Sequence, residues 1–284
     1  MSLMNELVRN VERWRALDTV GRPVAAAVGK VVRPAPVRNL LSGTLLGHPL
    51  HPVLTDVPIG AWFMAGLVDL VGGREAEPVA DLLVATGIAA AVPTAAAGLN
   101  DWSDTRGRQN RVGLAHAVAN STALALYTAS WLARRRGRRL GGKVLALAGL
   151  GSLTTGAYLG GHLSYAQGVN VNRTAWRSGP REWTAVLDEA ELVPGTPRRV
   201  EAGDVSVLLA RVGGAVTAVD SVCSHLGGPL EQGTIVDGCV TCPWHGSTFR
   251  LADGAVVRGP ASSPQPAYDV RVREGRIELR ARPW

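Results

Sequence analysis

Cysteine is scarce, with three residues in a chain of 284. An odd number cannot close an even disulfide framework, and because Cys239 and Cys242 lie close together a metal site is the better use for at least two of them. An apolar leader is also missing: Met1 to Arg15 is too polar to supply the hydrophobic stretch of a cleavable signal peptide. Asp, Glu, Lys and Arg make up only 19% of the chain, and mean hydropathy is +0.10, which implies that apolar and charged residues are segregated along it. The charge present leans basic, at +7 with a pI near 10.0. Arginines flanking long apolar runs are more simply the mark of a membrane protein than of a nucleic-acid binder, so no nucleic-acid partner is expected. Richness in alanine, arginine and glycine points to a bacterial source with a GC-rich genome.

The length suits two compact domains. Residues 1–46 read as an amphipathic N-terminal segment, with Leu7, Val11, Trp14 and Leu17 at helical spacing among Arg9, Arg13 and Arg15. Such a helix either lies in a membrane interface or packs on the next domain. Pro34, Pro36 and the small residues around Ser42 break any continuous helix there. Residues 47–163 hold four apolar stretches, Val53 to Val71, Val79 to Leu99, Val112 to Ala133 and Val144 to Leu163, each close to the ~20 residues a helix needs to cross a bilayer. The reading is an all-α four-helix transmembrane bundle. The first stretch carries Asp56 and Asp69, whereas the third has no Asp, Glu, Lys or Arg. Pro93 is expected to kink the second helix, and Gly156 and Gly160 at GxxxG spacing to let backbones approach closely. Residues 164–181 read as a linker. From 182 to 284 short alternating runs replace the helical pattern, and Gly213-Gly214 between Val205 to Val212 and Val216 to Val219 is a hairpin signal. The last domain is therefore all-β.

Within it stand Cys223-Ser-His225 and, after sixteen intervening residues, Cys242-Pro-Trp-His245. Each box pairs one thiolate with one imidazole. A Rieske centre places two cysteines on one iron and two histidines on the other, and a tetrahedral zinc also accepts such a set. Zinc fingers usually group Cys with Cys and His with His, however, and Gly227, Gly228 and Gly246 suit loops that close tightly over inorganic sulfur. The motifs CSHLGG and CPWHGSTF, over roughly Glu182 to Arg282, resemble the Rieske [2Fe-2S] family. The resemblance implies one [2Fe-2S] cluster on Cys223, His225, Cys242 and His245, with the outer ring nitrogens of the histidines partly exposed. Gly259-Pro260-Ala261 is similar to the proline loop that covers the cluster in that family.

The departures from the family pattern matter as much. Respiratory-type members carry a further cysteine in each box, joined as a disulfide, where this chain has Gly228 and Trp244. Phe249 stands where high-potential members tend to have a tyrosine that bonds a cluster ligand, although Ser247 is retained.

Four histidines remain, His48, His51, His116 and His162. If the helices alternate in direction, all four fall on the side from which the β domain leaves. One reading is a second site, for a haem or another metal, able to exchange electrons with the cluster. The other is that they hydrogen-bond to Asp56, Asn120 or Asp101 and tie helix ends together. Gly47-His-Pro-Leu-His-Pro52, Pro58-Ile-Gly-Ala-Trp62 and Gly98-Leu-Asn-Asp-Trp102 resemble the bacterial membrane domain DUF2231, over roughly Gly47 to Arg173. That family brings no established activity.

Orientation does not follow from charge. Six basic residues (Arg38, Arg106, Arg108, Arg111, Arg173, Arg177) stand against seven (Arg74, Arg134, Arg135, Arg136, Arg138, Arg139, Lys143), a difference too small for the positive-inside rule to decide between the two sides. The functional reading is a multi-pass protein of a bacterial cell membrane, lying in the lipid bilayer, that carries single electrons to or from a redox protein or quinone-linked partner. An electron-transfer component of an oxygenase or reductase system and a membrane redox sensor are the alternatives. A stand-alone catalyst is not expected, since the mononuclear iron of terminal oxygenases needs a much larger soluble domain. Hydrogen bonds to sulfur stabilise the reduced cluster and raise its potential. With the tyrosine replaced by Phe249 and no disulfide, the cluster is expected to titrate in the lower part of the Rieske span of roughly −150 to +300 mV. A midpoint near the top of that span in a redox titration would contradict this.

Overall fold

The computed structural model describes residues 3–282. The chain forms two compact units that do not follow chain order. One comprises Met1–Arg33 and Leu50–Val169, the other Pro34–Pro49 and Asn170–Trp284.

The first unit is helical: α1 (Leu3–Arg13), α2 (Asp18–Val31), α4 (Leu50–Val71), α5 (Glu77–Trp102), α6 (Arg108–Arg135) and α7 (Arg139–Gly161), with α3 (Ala35–Ser42) belonging to the second unit. Three spans among the described residues are long and apolar enough to cross a membrane, Leu50–Val71, Glu77–Trp102 and Arg139–Ala166. The expected fourth, α6, is as long but falls short in hydropathy. It carries no formal charge in its middle, yet Asn110, His116, Asn120, Ser121, Thr122 and Thr128 dilute its apolar content. The outward faces of the three apolar helices present Phe63, Leu67, Leu82, Val92 and Leu147.

Inside, small residues allow the helices to close. Ala65, Ala80, Ala97 and Ala123 have no exposed surface, and Trp62 stacks on Tyr127 with ring centroids 4.2 Å apart. A Cβ on Gly156 would lie 2.7 Å from the Asn120 amide, and one on Gly160 3.0 Å from the His116 ring. The GxxxG pair expected to bring backbones together therefore seats polar side chains of α6 against α7. The α5 helix runs unbroken through Pro93. In α1 the packed face is Val8, which joins Val112 and Leu159 with Val11 alongside, while Leu7 and Trp14 are exposed. Glu12, Asp18 and Arg111 reinforce that docking, Arg111 reaching both Asp18 oxygens at 2.7 and 2.9 Å and the Glu12 carbonyl at 2.6 Å.

At the end of the bundle formed by the α4–α5 and α6–α7 connections, the fully buried Arg134 side chain pairs with Asp69 and, at 3.3 Å, with Asp81. Arg139 bonds Asp81 at 2.7 Å and Lys143 the Asp69 carbonyl at 3.0 Å. A buried charge stripped of its partner is strongly destabilising. Arg134→Ala is therefore expected to cost about 3–5 kcal/mol, read as a lowered midpoint of thermal unfolding in detergent.

Among the described residues the second unit is built on ten strands in three antiparallel sheets. They are β1 (Thr184–Asp188), β2 (Arg198–Ala202), β3 (Val205–Val212), β4 (Ala215–Asp220), β5 (Thr234–Val236), β6 (Cys239–Thr241), β7 (Thr248–Arg250), β8 (Val256–Arg258), β9 (Tyr268–Arg273) and β10 (Arg276–Ala281), ordered β1-β10-β9, β2-β3-β4 and β5-β6-β7-β8. The expected hairpin is present: Val212 pairs with Ala215, and Gly213 and Gly214 both take positive φ (57° and 85°), as a two-residue turn between twisted strands requires. Strand β3 is buried on both faces. Val207 and Leu209 enter one core with Ile277 and Leu279; Leu208 and Ala210 enter another with Phe249, Val240, Cys223 and Cys242. The period of two thus splits one strand between two cores.

Candidate metal centre

Both cysteine-histidine boxes sit on turns leaving short strands. The first follows β4, and its turn closes by Gly227 N–H donating to the Cys223 carbonyl at 2.9 Å; the second follows β6, where Gly246 N–H donates to the Cys242 carbonyl at 3.0 Å. The two turns face each other. The Cys223 thiol hydrogen-bonds to the Cys242 sulfur, which brings Cys242 down to about 7, while Cys223, also held by burial, stays well above the ordinary thiol value. Backbone N–H groups of His225 and Leu226 point at Cys223 sulfur, and those of Trp244 and His245 at Cys242 sulfur. Such donors favour the thiolate, the form that binds metal.

The His225 and His245 rings lie 5.2 Å apart and nearly perpendicular, at 88°. Burial, then the neighbouring His245 and the positive charges of Arg38 and Arg173, push His225 down to about 3, so its imidazole is neutral and able to ligate at physiological pH. His245 is half-buried and His225 is 7% exposed. Donors thus gather as a thiol pair and an imidazole pair. Among the described residues no three His, Cys, Asp or Glu side chains converge on a single ion position. Two soft donors beside two imidazoles fit a binuclear iron-sulfur centre with two protein ligands per iron.

Gly228 and Trp244, the positions of the absent disulfide, are in contact. A Cβ on Gly228 would lie 2.7 Å from Cys242 sulfur and 3.2 Å from the indole, so Trp244 lies where only a glycine leaves room. Phe249 is fully buried in the core beneath the boxes. The Ser247 hydroxyl accepts from Ala261 N–H at 3.0 Å, and Arg258 donates to the Gly246 carbonyl at 2.7 Å. Pro260 is thereby held beside the second box.

Several residues with a hand in the site do not stand out in the sequence. Gln265 is buried and donates to the Asp220 and Val222 carbonyls at 2.8 and 2.5 Å while accepting from Ser224 N–H at 3.0 Å. Arg177, from the expected linker, binds the buried Asp220 at 2.7 Å, and Arg173 N–H donates to the Ser224 carbonyl at 2.9 Å. A polar residue between two prolines, Pro264 and Pro266, is the only local hint of the role of Gln265.

In the helical unit, His51 and His116 come together, with ring centroids 6.2 Å apart. Their Nδ1 atoms bond the Thr94 carbonyl at 2.9 Å and the Gly156 carbonyl at 2.8 Å, and Asn120 lies beside His116. His162 bonds Glu12 at 3.1 Å. His48 is exposed and belongs to the other unit.

Residues 182–269 match the Rieske [2Fe-2S] domain, and residues 47–173 match the predicted membrane protein domain DUF2231. Ferredoxin CarAc of Metapseudomonas resinovorans is 31% identical over 96 residues, 34% of this chain and 90% of that protein. This chain belongs to the Rieske [2Fe-2S] family. The anthranilate 1,2-dioxygenase ferredoxin subunit of Burkholderia cepacia is 30% identical over 98 residues, 34% of this chain and 91% of that protein. The cytochrome b6-f complex iron-sulfur subunit of Chlorobaculum tepidum is 31% identical over 93 residues, 33% of this chain but only 50% of that protein. A Rieske domain with such relatives implies one [2Fe-2S] cluster and electron transfer. The likeness spans only the last third of the chain.

Replacing Gln265 by Ala would take a partner from the Ser224 N–H in the first Rieske box and from the Asp220 and Val222 carbonyls just before it. The expected cost is at least about 2 kcal/mol, seen as a lowered unfolding midpoint together with less than two irons retained per chain after purification.

Proposed function

We propose that the protein is a membrane-anchored one-electron carrier whose [2Fe-2S] cluster is held by Cys223 and Cys242 on one iron and His225 and His245 on the other. The observation that carries this reading is the pairing of donors by type across two facing turns. When bound, the cluster supplies a site that takes up and gives back a single electron. The chain's own contribution is to present two thiolates to backbone amides, keep His225 neutral by burial, and exclude water with Pro260, Phe249 and Leu230.

Anchoring rests on the DUF2231 match and on three apolar helices with outward-facing Phe, Leu and Val; α6 is read as the fourth, more polar member of the bundle. A bacterial cell membrane and a redox-protein or quinone-linked partner follow as part of the same reading. The near-complete coverage of the anthranilate 1,2-dioxygenase ferredoxin subunit favours a second version, in which the partner is an oxygenase or its reductase.

Low-temperature EPR of the dithionite-reduced protein in detergent, with iron and zinc analysis, tests the assignment. A Rieske-type signal with two irons per chain is expected, and lost in Cys242→Ser. One zinc per chain without a signal would remove the electron-transfer reading.

A further inference from the structure

The second unit includes a stretch that lies outside the residues matching the Rieske family, the segment Pro34–Pro49. Its fold is set locally. Pro36 falls in the first turn of α3, where no backbone donor is needed, and Gly43 ends the helix at φ 75°, the pairing that commonly starts and stops a helix. A 3₁₀ turn, Thr44–Leu46, follows.

This short hook grips the loop that follows β8. Asn39 uses both ends of its amide, accepting from Gly259 N–H at 2.9 Å and donating to the Val257 carbonyl at 3.3 Å. Thr44 donates its hydroxyl to the Ala261 carbonyl at 3.1 Å. A Cβ on Gly259 would lie 2.8 Å from the Thr44 hydroxyl and 3.2 Å from Ser42, so only glycine permits this approach. On its other side the same loop is bound to the second box by Ser247 and Arg258. Arg38, on α3, is buried at 5% exposure, and its positive charge acts on the buried His225. The loop is thus held from two directions, once by the box and once by residues more than 200 positions earlier in the chain.

We propose that Pro34–Pro49 is a clamp on the cluster: Asn39 and Thr44 are positioning residues that hold the loop Val257–Ala261 closed over the second box, and Arg38 places a buried positive charge near His225 of the first. The inference rests on the ligand assignment proposed above. Two consequences follow. Opening the clamp loosens the proline loop and admits water to the site, so iron is lost faster. A fixed positive charge stabilises the reduced, more negative cluster, so removing it lowers the potential.

The test uses the full-length protein in detergent. The double variant Asn39→Ala, Thr44→Val removes three hydrogen bonds and is expected to release iron to a ferrous chelator about tenfold faster than the unaltered protein. Thr44→Ser keeps the hydroxyl and should release at the original rate. Arg38→Gln is expected to shift the EPR-monitored midpoint downward with the Rieske line shape retained. Hydrogen exchange at the Gly259 amide of the unaltered protein gives a readout independent of how the variants fold; slow exchange is expected. Fast exchange there, or unchanged iron release in the double variant with an unchanged midpoint in Arg38→Gln, overturns the clamp. Absence of a Rieske signal in the unaltered protein would overturn the ligand assignment itself, whereas its presence with unresponsive variants sinks only the clamp.

Discussion

Two thiols and two imidazoles on short turns have to face one another with their lone pairs available, and the backbone of those turns has to be satisfied by something other than a regular ladder. Most of the second unit can be understood from that demand. The turn amides split their donors between sulfur and carbonyl oxygen, and Gln265 answers for three further groups. Buried Asp220 takes Val222 N–H at 2.8 Å and Arg177 at 2.7 Å. Beneath them β3 supplies a floor of Leu208 and Ala210, shared with Phe249 and Val240. Unpaired polar groups in such a place would each cost about 1–3 kcal/mol, so the supporting residues are as necessary to the site as the four proposed ligands.

The helical unit meets a different constraint. In the proposed membrane setting the apolar side chains would gain little by contacting one another rather than the surrounding tails, so close packing and polar contacts would decide association. Alanine and glycine let the helices approach, and tryptophan and tyrosine fill what remains. The ionic group of Arg134, Asp69, Asp81, Arg139 and Lys143 ties four helices at one end. The His51 and His116 rings, each bonded to a carbonyl of a neighbouring helix, tie them elsewhere.

What can be read from the sequence is whatever is written locally. The two boxes declare their chemistry within a few residues, and the Gly213-Gly214 hairpin and the long apolar runs follow from periodicity. Relations between distant residues stay hidden. Asn39 and Val257 are 218 positions apart, and nothing near Asn39 marks it as a partner of the cluster domain; Pro34 and Pro36 read as helix breakers, yet Pro36 opens a helix. Arg134, Arg139 and Lys143 enter the sequence reading only as basic residues flanking apolar stretches, although Arg134 is wholly buried against Asp69. Lack of formal charge makes the third helix look like the others, but that criterion overlooks how much Asn, Ser, Thr and His subtract from hydropathy.

Because the chain visits the second unit twice, at Pro34–Pro49 and again from Asn170, no single cut divides it into two self-sufficient pieces. A cleavage near residue 170 would leave the hook attached to the helices and the loop it grips attached to the strands. An exchange of the β domain for that of a related ferredoxin would likewise import a loop that has never met Asn39. The hook and the proline loop, though far apart in the chain, therefore form one structural element, and a change in either is felt by the other.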